Sequence, residues 1–600
     1  MPVKVPQIER YVVLIAALYA VVACGDRDKL YPFYEFDAGA DTESDTETPG
    51  DDSDSDTESD SCVDNFVDDD GRCIRYVNLN SNTILCGETW LGAFDNVQDG
   101  IDSAYAAAQL LNYCEVWVAR GTYRPYVSDV SDTIKLRGNV HVFGGFAGAE
   151  HLKEERDIVG NETILDGRQD GGSAAVYHVV SGAQNAGLDG FTVTGGEALG
   201  PSPHHRGGGA YLNAASTDLR NCVFQHNRAV DGGGVFAWDS TPTIQDCSFT
   251  DNHAQNGGAL FVLNGLALLD ALVITNNIAT QNGGGIYLDS QFGSCNPTLR
   301  NLTIEDNVAW QNGGGIYNRN CSATMDTTLI SNNTAYMDGG GLAGFRGQTF
   351  AEQSIVINNQ AGGDGGGVAS NDNETVFEQM QILYNTADGN GGGVHLEWSE
   401  GTFASCLVAG NTAQGNGGGF AIEMDFPRIV NTRVNGNRAT RGGGFYNGTR
   451  GDPNIVNTVI NGNLADDSGG AIFNAELSET EVVNCIAWDN GATEIVDEPG
   501  SSTTVSYCDV MGGYPGSFII DLDPVFVSPG HWDDLGTIFD PTDDQWVIGD
   551  YHIEISSPCI DVSDDTLSAA YDADGIPWDD IVGVGLPGVD VDMGAYDYQP

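Results

Sequence analysis

The sequence predicts an all-β fold, a parallel β-helix of about eleven clear turns with flanking coils and a cap at each end. Three observations lead there. A glycine cluster recurs at a nearly constant step, an asparagine and an apolar residue keep fixed phase with it, and the intervening segments are short and alternate in polarity.

The clusters begin at Gly207, Gly232, Gly257, Gly283, Gly313, Gly339, Gly365, Gly391, Gly417, Gly442 and Gly469, at steps of 25 to 30 residues. Five or six residues before each cluster from the second onward stands an asparagine: Asn227, Asn252, Asn277, Asn307, Asn333, Asn359, Asn385, Asn411, Asn437 and Asn463, with Asn490 extending the series. Alanine follows two residues later and an apolar residue precedes by three, from Phe224 to Val434 and Ile460. Helical repeats are excluded, because each glycine of the cluster costs about 1 kcal/mol in a helix. Runs such as Val235-Phe236-Ala237-Trp238 read as strands with a period of two.

If each cycle is one turn, equivalent residues of successive turns lie ~4.8 Å apart. Identical asparagines then form an amide ladder. The residues three past each cluster start, among them Val235, Leu260, Ile286, Ile316, Leu342, Val368, Val394, Phe420, Phe445 and Ile472, face a common core. Glycine supplies the corner where the backbone turns sharply or approaches its neighbour.

Composition limits the function. Of 600 residues, 86 are Asp or Glu against 24 Lys or Arg, a formal charge of −62, and 40 % are hydrophobic. There is enough apolar material for a core. A nucleic-acid partner is excluded, because it needs a basic footprint.

Residues 1–23 read as an export signal, with Lys4 and Arg10 ahead of an apolar run too short for a membrane-spanning helix. The run ends Val21-Val22-Ala23-Cys24, which resembles the lipobox of bacterial lipoproteins. The resemblance implies lipidation at Cys24 and, with Gly25 following, display on the outer membrane or cell surface. Residues 24–75 read as a lipidated acidic stalk. Asp41 to Ser61 holds no apolar side chain, so it stays solvated; a calcium-binding role is the other reading. Residues 76–205 form an N-terminal cap and first coils, 206–512 the repeats, and 513–600 an acidic C-terminal cap.

Twelve cysteines follow Cys24, which suits disulfides in an exported chain. Cys62 and Cys73 flank a short acidic loop, and Cys86 and Cys114 flank a predicted helix at residues 103–112. Cys222 with Cys247, and Cys295 with Cys321, occupy equivalent places in neighbouring turns, as do Cys485 and Cys508. Each such pair is either bonded or a stack of reduced thiols. Cys406 has no neighbour of this kind.

The elements FQHN, FTDN, GGAL and GGAI resemble polymorphic outer-membrane-protein repeats. Residues 76–600 more broadly resemble exported right-handed parallel β-helix proteins of the pectate-lyase-like superfamily, on EVWVARGTY and VHVFGGFAGAE near the start and DPVF, YHIEISSPCID and DMGAYDYQP near the end. The resemblance implies the scaffold; lyases, hydrolases and adhesins share it. The acidic tail departs from the membrane barrel of the polymorphic type.

Two sets of outward residues carry candidate chemistry. Phe236, Trp238, Phe261, Tyr287 and Tyr317 form a stripe on which sugar rings stack, if the rings are open to solvent. Glu397 and Glu423 fall at one position in adjacent turns beside His395, at a spacing that suits the carboxyl pair of a retaining glycosidase, although a solvated acidic face gives the same pattern. Asp572 and Asp574 make a calcium-site candidate in the tail. The expected function is an adhesion or carbohydrate-binding rod without catalysis; the alternative is a polysaccharide lyase or glycoside hydrolase. Expected partners are an extracellular glycan or cell-surface molecule, with the membrane reached through the lipid alone. No cofactor is required, with Ca2+ as an optional ion.

Overall fold

One cycle, Val235 to Ala259, shows how the repeat becomes a turn. Val235–Ser240 is a strand of a first sheet, Thr243–Gln245 and Ser248–Thr250 are strands of a second, and His253–Ala254 belongs to a third. Left-handed residues make the corners. Asp246 and Asp251 sit at φ of 52° and 54°, which short polar side chains tolerate, and Gly232 at 65°. At Gly233 a Cβ would lie 2.3 Å from the Gly258 carbonyl of the next turn, so only glycine fits.

The computed structural model describes residues 73–81, 87–291, 293–491, 493–534, 544–560, 562–563 and 592–595. Cys24, Cys62, Cys86, Asp572 and Asp574 lie outside the described residues. Successive turns pair in parallel and in register, Val235 with Leu260 and Leu260 with Ile286. Among the described residues the three sheets hold 14, 31 and 11 strands. The first sheet begins with Ile134–Lys135 and Val180–Ser181, so the column extends below the first glycine cluster.

The inward files are as the period requires. Phe224, Phe249, Ile274 and Ile304 are fully buried with Val235, Leu260 and Ile286 in one core. The asparagines form the ladder. Asn252 Oδ1 accepts from the backbone N–H and the side-chain amide of Asn227, both at 3.1 Å, and Asn252 Nδ2 donates to Asn277 Oδ1 at 3.0 Å and to the Phe224 carbonyl at 2.9 Å. The pattern persists to Asn463 and Asn490.

The first turns are closed by a helix, Val97–Leu111, capped by Asn96. It begins earlier than the sequence predicts, because Val97 and Ile101 join Ala104 and Ala108 in the core. The cysteines here pair differently from expectation: Cys73 is bonded to Cys114. Strand Ile74–Val77 pairs with Cys114–Ala119 with Ile74 opposite Glu115, which puts Cys73 beside Cys114.

Cys295 and Cys321 are bonded, with Cα atoms 4.8 Å apart. Cys222, Cys247, Cys485 and Cys508 are buried free thiols. Cys222 Sγ donates to the Arg220 carbonyl and Cys247 Sγ to that of Gln245, so each thiol is engaged by its own turn's backbone. Cys247 Sγ also accepts the Cys222 backbone N–H, as Ser354 Oγ accepts that of Thr328 and Thr432 Oγ1 that of Cys406. Cys406 therefore belongs to a second, mixed Cys/Ser/Thr file.

The C-terminal segment lies along the flank of the column. Phe526–Ser528 pairs antiparallel with Asp550–Ile553, and His531–Asp533 with Gln545–Val547. Phe526, Trp546, Tyr551 and Ile553 cover Leu383, Leu407, Val459 and Ile486 on the outer face of the second sheet. Trp546 fills the space over Gly436 and Gly462, where a Cβ would sit within 2.0 Å of its ring.

Candidate functional site

The outer face of the first sheet carries the predicted site residues in two parallel files. The first file runs Tyr211, Phe236, Phe261, Tyr287, Tyr317, Ala343, Ala369, His395, Ala421, Tyr446 and Phe473, as the register dictates.

The lower part of this file departs from the exposed stripe the sequence predicts. Phe236 is 0 % and Tyr317 9 % exposed, Phe261 and Tyr287 are also buried, and Trp238 is half-buried. At one strand spacing the rings cover one another, with centroids 5.1 Å apart for Phe236 and Phe261, 4.4 Å for Phe261 and Tyr287, and 5.2 Å for Tyr287 and Tyr317. Arg206 lies over both Phe236 and Trp238. These rings are an outer core rather than an open platform.

Above Tyr317 the file turns small. Ala343, Ala369 and Ala421 make the file low here, a shallow groove in relief whose floor, His395 included, is itself buried, and Tyr446 begins the next aromatic stack. One side is lined by the residues immediately ahead of the glycine clusters. Asp338 N–H donates to Asn312 Oδ1 at 3.1 Å, Asp364 N–H to Asp338 Oδ1 at 2.9 Å, and Asn416 N–H to Asn390 Oδ1 at 2.9 Å. This second polar ladder was readable in the sequence from the Asn or Asp that stands directly before every cluster from Gly232 to Gly417, a signal the sequence reading missed.

The opposite side holds Asn371, Glu397 and Glu423, in register in three consecutive turns. The Asn371 amide donates to Glu397. The register thus brings Glu397 and Glu423 together, with His395 on the same face. Burial pushes the Glu423 carboxyl above its ordinary range; His395 opposes this, and the charges of Asp364, Glu397 and Glu476 add to it. Asp338 is raised likewise by burial. His395 is 7 % exposed and makes no hydrogen bond among the described residues.

Exposed aromatics mark both margins. Trp398 directly follows Glu397 and is 59 % exposed; Tyr336, two residues before Asp338, is 64 % exposed, and Trp310 holds the equivalent place one turn earlier. Sequence reasoning missed them, although Trp310 and Tyr336 each stand three residues after a ladder asparagine. No group of three or more His, Cys, Asp or Glu is placed to hold a metal ion among the described residues.

Residues 181–335 match the family model described as right handed beta helix region. Among solved structures, pectate lyase Pel9A is similar at 12 % identity over 88 % of this chain and 96 % of its own, with a TM-score of 0.26. The A-module of the Azotobacter vinelandii mannuronan C-5 epimerase AlgE6 is similar at 14 % identity over 72 % of this chain and 96 % of its own, with a TM-score of 0.26. PfbA, a surface adhesin of Streptococcus pneumoniae, is similar at 11 % identity over 58 % of this chain and 85 % of its own, with a TM-score of 0.27. No curated protein sequence matches the chain. The repeating parallel register and the family match together make the fold a right-handed parallel β-helix.

Proposed function

We propose that the chain is a lipid-anchored surface rod that binds extracellular glycans along the groove over Ala343, Ala369, His395 and Ala421. The observation that carries this reading is the local loss of side-chain bulk in an outer file that is otherwise filled with stacked rings. A glycan laid along the column meets carboxylates that accept hydroxyl hydrogen bonds and aromatic margins at Tyr336 and Trp398. Lipidation at Cys24 and the acidic stalk support display away from the membrane.

The test is binding of the mature chain to a panel of neutral and acidic polysaccharides. Retention of at least one, weakened about tenfold or more by Trp398→Ala, supports the reading. Failure to retain any, or indifference to the substitution, overturns it.

A second reading, hydrolysis, is favoured by the raised Glu423 carboxyl beside Glu397. Adjacent turns hold the two backbones ~4.8 Å apart, near the ~5–5.5 Å carboxyl separation of retaining glycosidases. It predicts new reducing ends from a bound polysaccharide, abolished by Glu423→Gln. Absence of such ends leaves binding without catalysis.

A further inference from the structure

The second sheet has its own interruption, far from the groove in sequence. On its outer face two files run through the first turns: Glu115, His141, Gly187 and Asp218, and beside them Trp117, Phe143, Asp189 and Arg220. Gly187 is the one position in these files without a side chain. A Cβ there would lie 2.5 Å from His141 Nδ1, so the His141 ring leans over the glycine. The result is a cavity of about 220 Å³ lined by His141, Phe143, Gly187, Asp189, Asp218 and Arg220.

The lining has two characters. The inner surface is ring and backbone: His141 packs on Tyr113 with centroids 5.2 Å apart, and beside it Phe143 is buried under Lys153 and Arg156. The rim is charged and locally balanced. Lys153 pairs with Glu115 at 2.8 Å, Arg156 with Asp189 at 2.8 Å, and Arg220 with Asp218 at 3.6 Å. Three cations meet three anions, in a chain of net charge −62. Burial also lowers the His141 pKa. Its ring nitrogens carry no hydrogen bond among the described residues, and the Asp218 carboxylate holds only its loose pair with Arg220.

We propose that this notch binds one uncharged pyranose unit, such as the end or a branch of a glycan. The cavity falls below the ~300 Å³ at which drug-sized sites begin, so it admits a single ring. A pyranose offers an apolar face to the His141 ring and hydroxyls to the Asp218 carboxylate and to the Arg220 N–H groups not engaged by Gln245. Because the rim charges cancel, the site has no means of selecting an acidic or a basic sugar. The site stands apart from the groove, and neither depends on the other.

The experiment is saturation-transfer NMR on the full mature chain with the methyl glycosides of glucose, galactose and mannose, and with methyl glucuronoside and galacturonoside as the charged arm. The expected result is transfer to at least one neutral glycoside, weakened about tenfold or more in Asp218→Ala and in Arg220→Ala. Both side chains lie on the partly exposed rim, and an unchanged thermal midpoint in each variant shows that the fold is intact. No transfer to any neutral glycoside, stronger transfer to the uronosides, or transfer unaffected by both substitutions would overturn the proposal. The groove is scored on polymers and through Trp398, so the two readings fail separately.

Discussion

The carboxylate of Glu494 terminates the asparagine ladder at Asn490. Its Oε1 accepts the Asn490 backbone N–H at 3.1 Å and its Oε2 the Asn490 side-chain amide at 2.7 Å. These are the two donors that every earlier rung directs to the next asparagine. At the other end, the Gly196 N–H donates to Asn227 Oδ1 at 3.0 Å. The ladder thus runs from a bare backbone donor to a buried acid.

That acid makes stability depend on pH. Burial pushes Glu494 up to about 7, with the Asn490 hydrogen bonds restraining the rise. A carboxyl raised on folding holds its proton in the native chain after the unfolded chain has released it, so its contribution is present at pH 5 and fades as pH climbs towards 8. Buried His178, lowered to about 4, works in the opposite sense below its unfolded value, so the clean measurement is a difference. Relative to the parent, Glu494→Gln should gain roughly 3 kcal/mol between pH 5 and pH 8 in urea unfolding. A pH-independent difference would show that Glu494 is not held protonated.

Mid-ladder, Asn385 takes part in four side-chain hydrogen bonds, to Asn359 N–H, Asn359 Nδ2, Asn411 Oδ1 and the Val356 carbonyl, at 2.9 to 3.0 Å. Asn385→Ala strands the Asn359 donors in the core. The expected cost is about 3 kcal/mol in the denaturant midpoint, well above that of an exposed Asn→Ala change.

The two kinds of stacked cysteine should respond differently. Closing the 26-residue loop between Cys295 and Cys321 contributes about 3.5 kcal/mol by chain entropy, so replacing both with Ser should lower thermal stability clearly. Cys222→Ser should cost less than about 1.5 kcal/mol, because Ser354 already fills an equivalent place and accepts the same backbone N–H. Equal losses for both would refute the distinction.

The C-terminal segment is held on the column flank by Trp546, by the Trp532 Nε1 bond to the Gly462 carbonyl at 2.9 Å, and by the Tyr384 hydroxyl bond to the Trp546 carbonyl at 3.1 Å. Trp546→Ala removes a buried ring and should cost about 3 kcal/mol. Limited proteolysis should then cut within residues 526–560 before the repeats.

The repeat was legible because its signals are local. A strand alternates every two residues, so Val394 and Leu396 must face one side and His395 and Glu397 the other. The adjacency of Glu397 and Glu423 followed from the 26-residue step between them. The exposure of Phe236 and Tyr287 did not follow, because it depends on how neighbouring rings and Arg206 pack over them. The partner of Cys114 was hidden for a related reason: it is set by the register of two strands separated by a helix.

The sequence alone determined the period, the inward files and the asparagine ladder, since in-register stacking makes each turn's environment a copy of its neighbour's. Only the tertiary structure decided which outward surfaces stay open. The flank of the second sheet is covered by Trp546 from far along the chain and the lower face of the first sheet by its own aromatic stack, while Trp398 and Tyr336 stay exposed on either side of the buried His395. Alternation fixes the direction of a side chain; whether water reaches it depends on chain segments that no local pattern specifies.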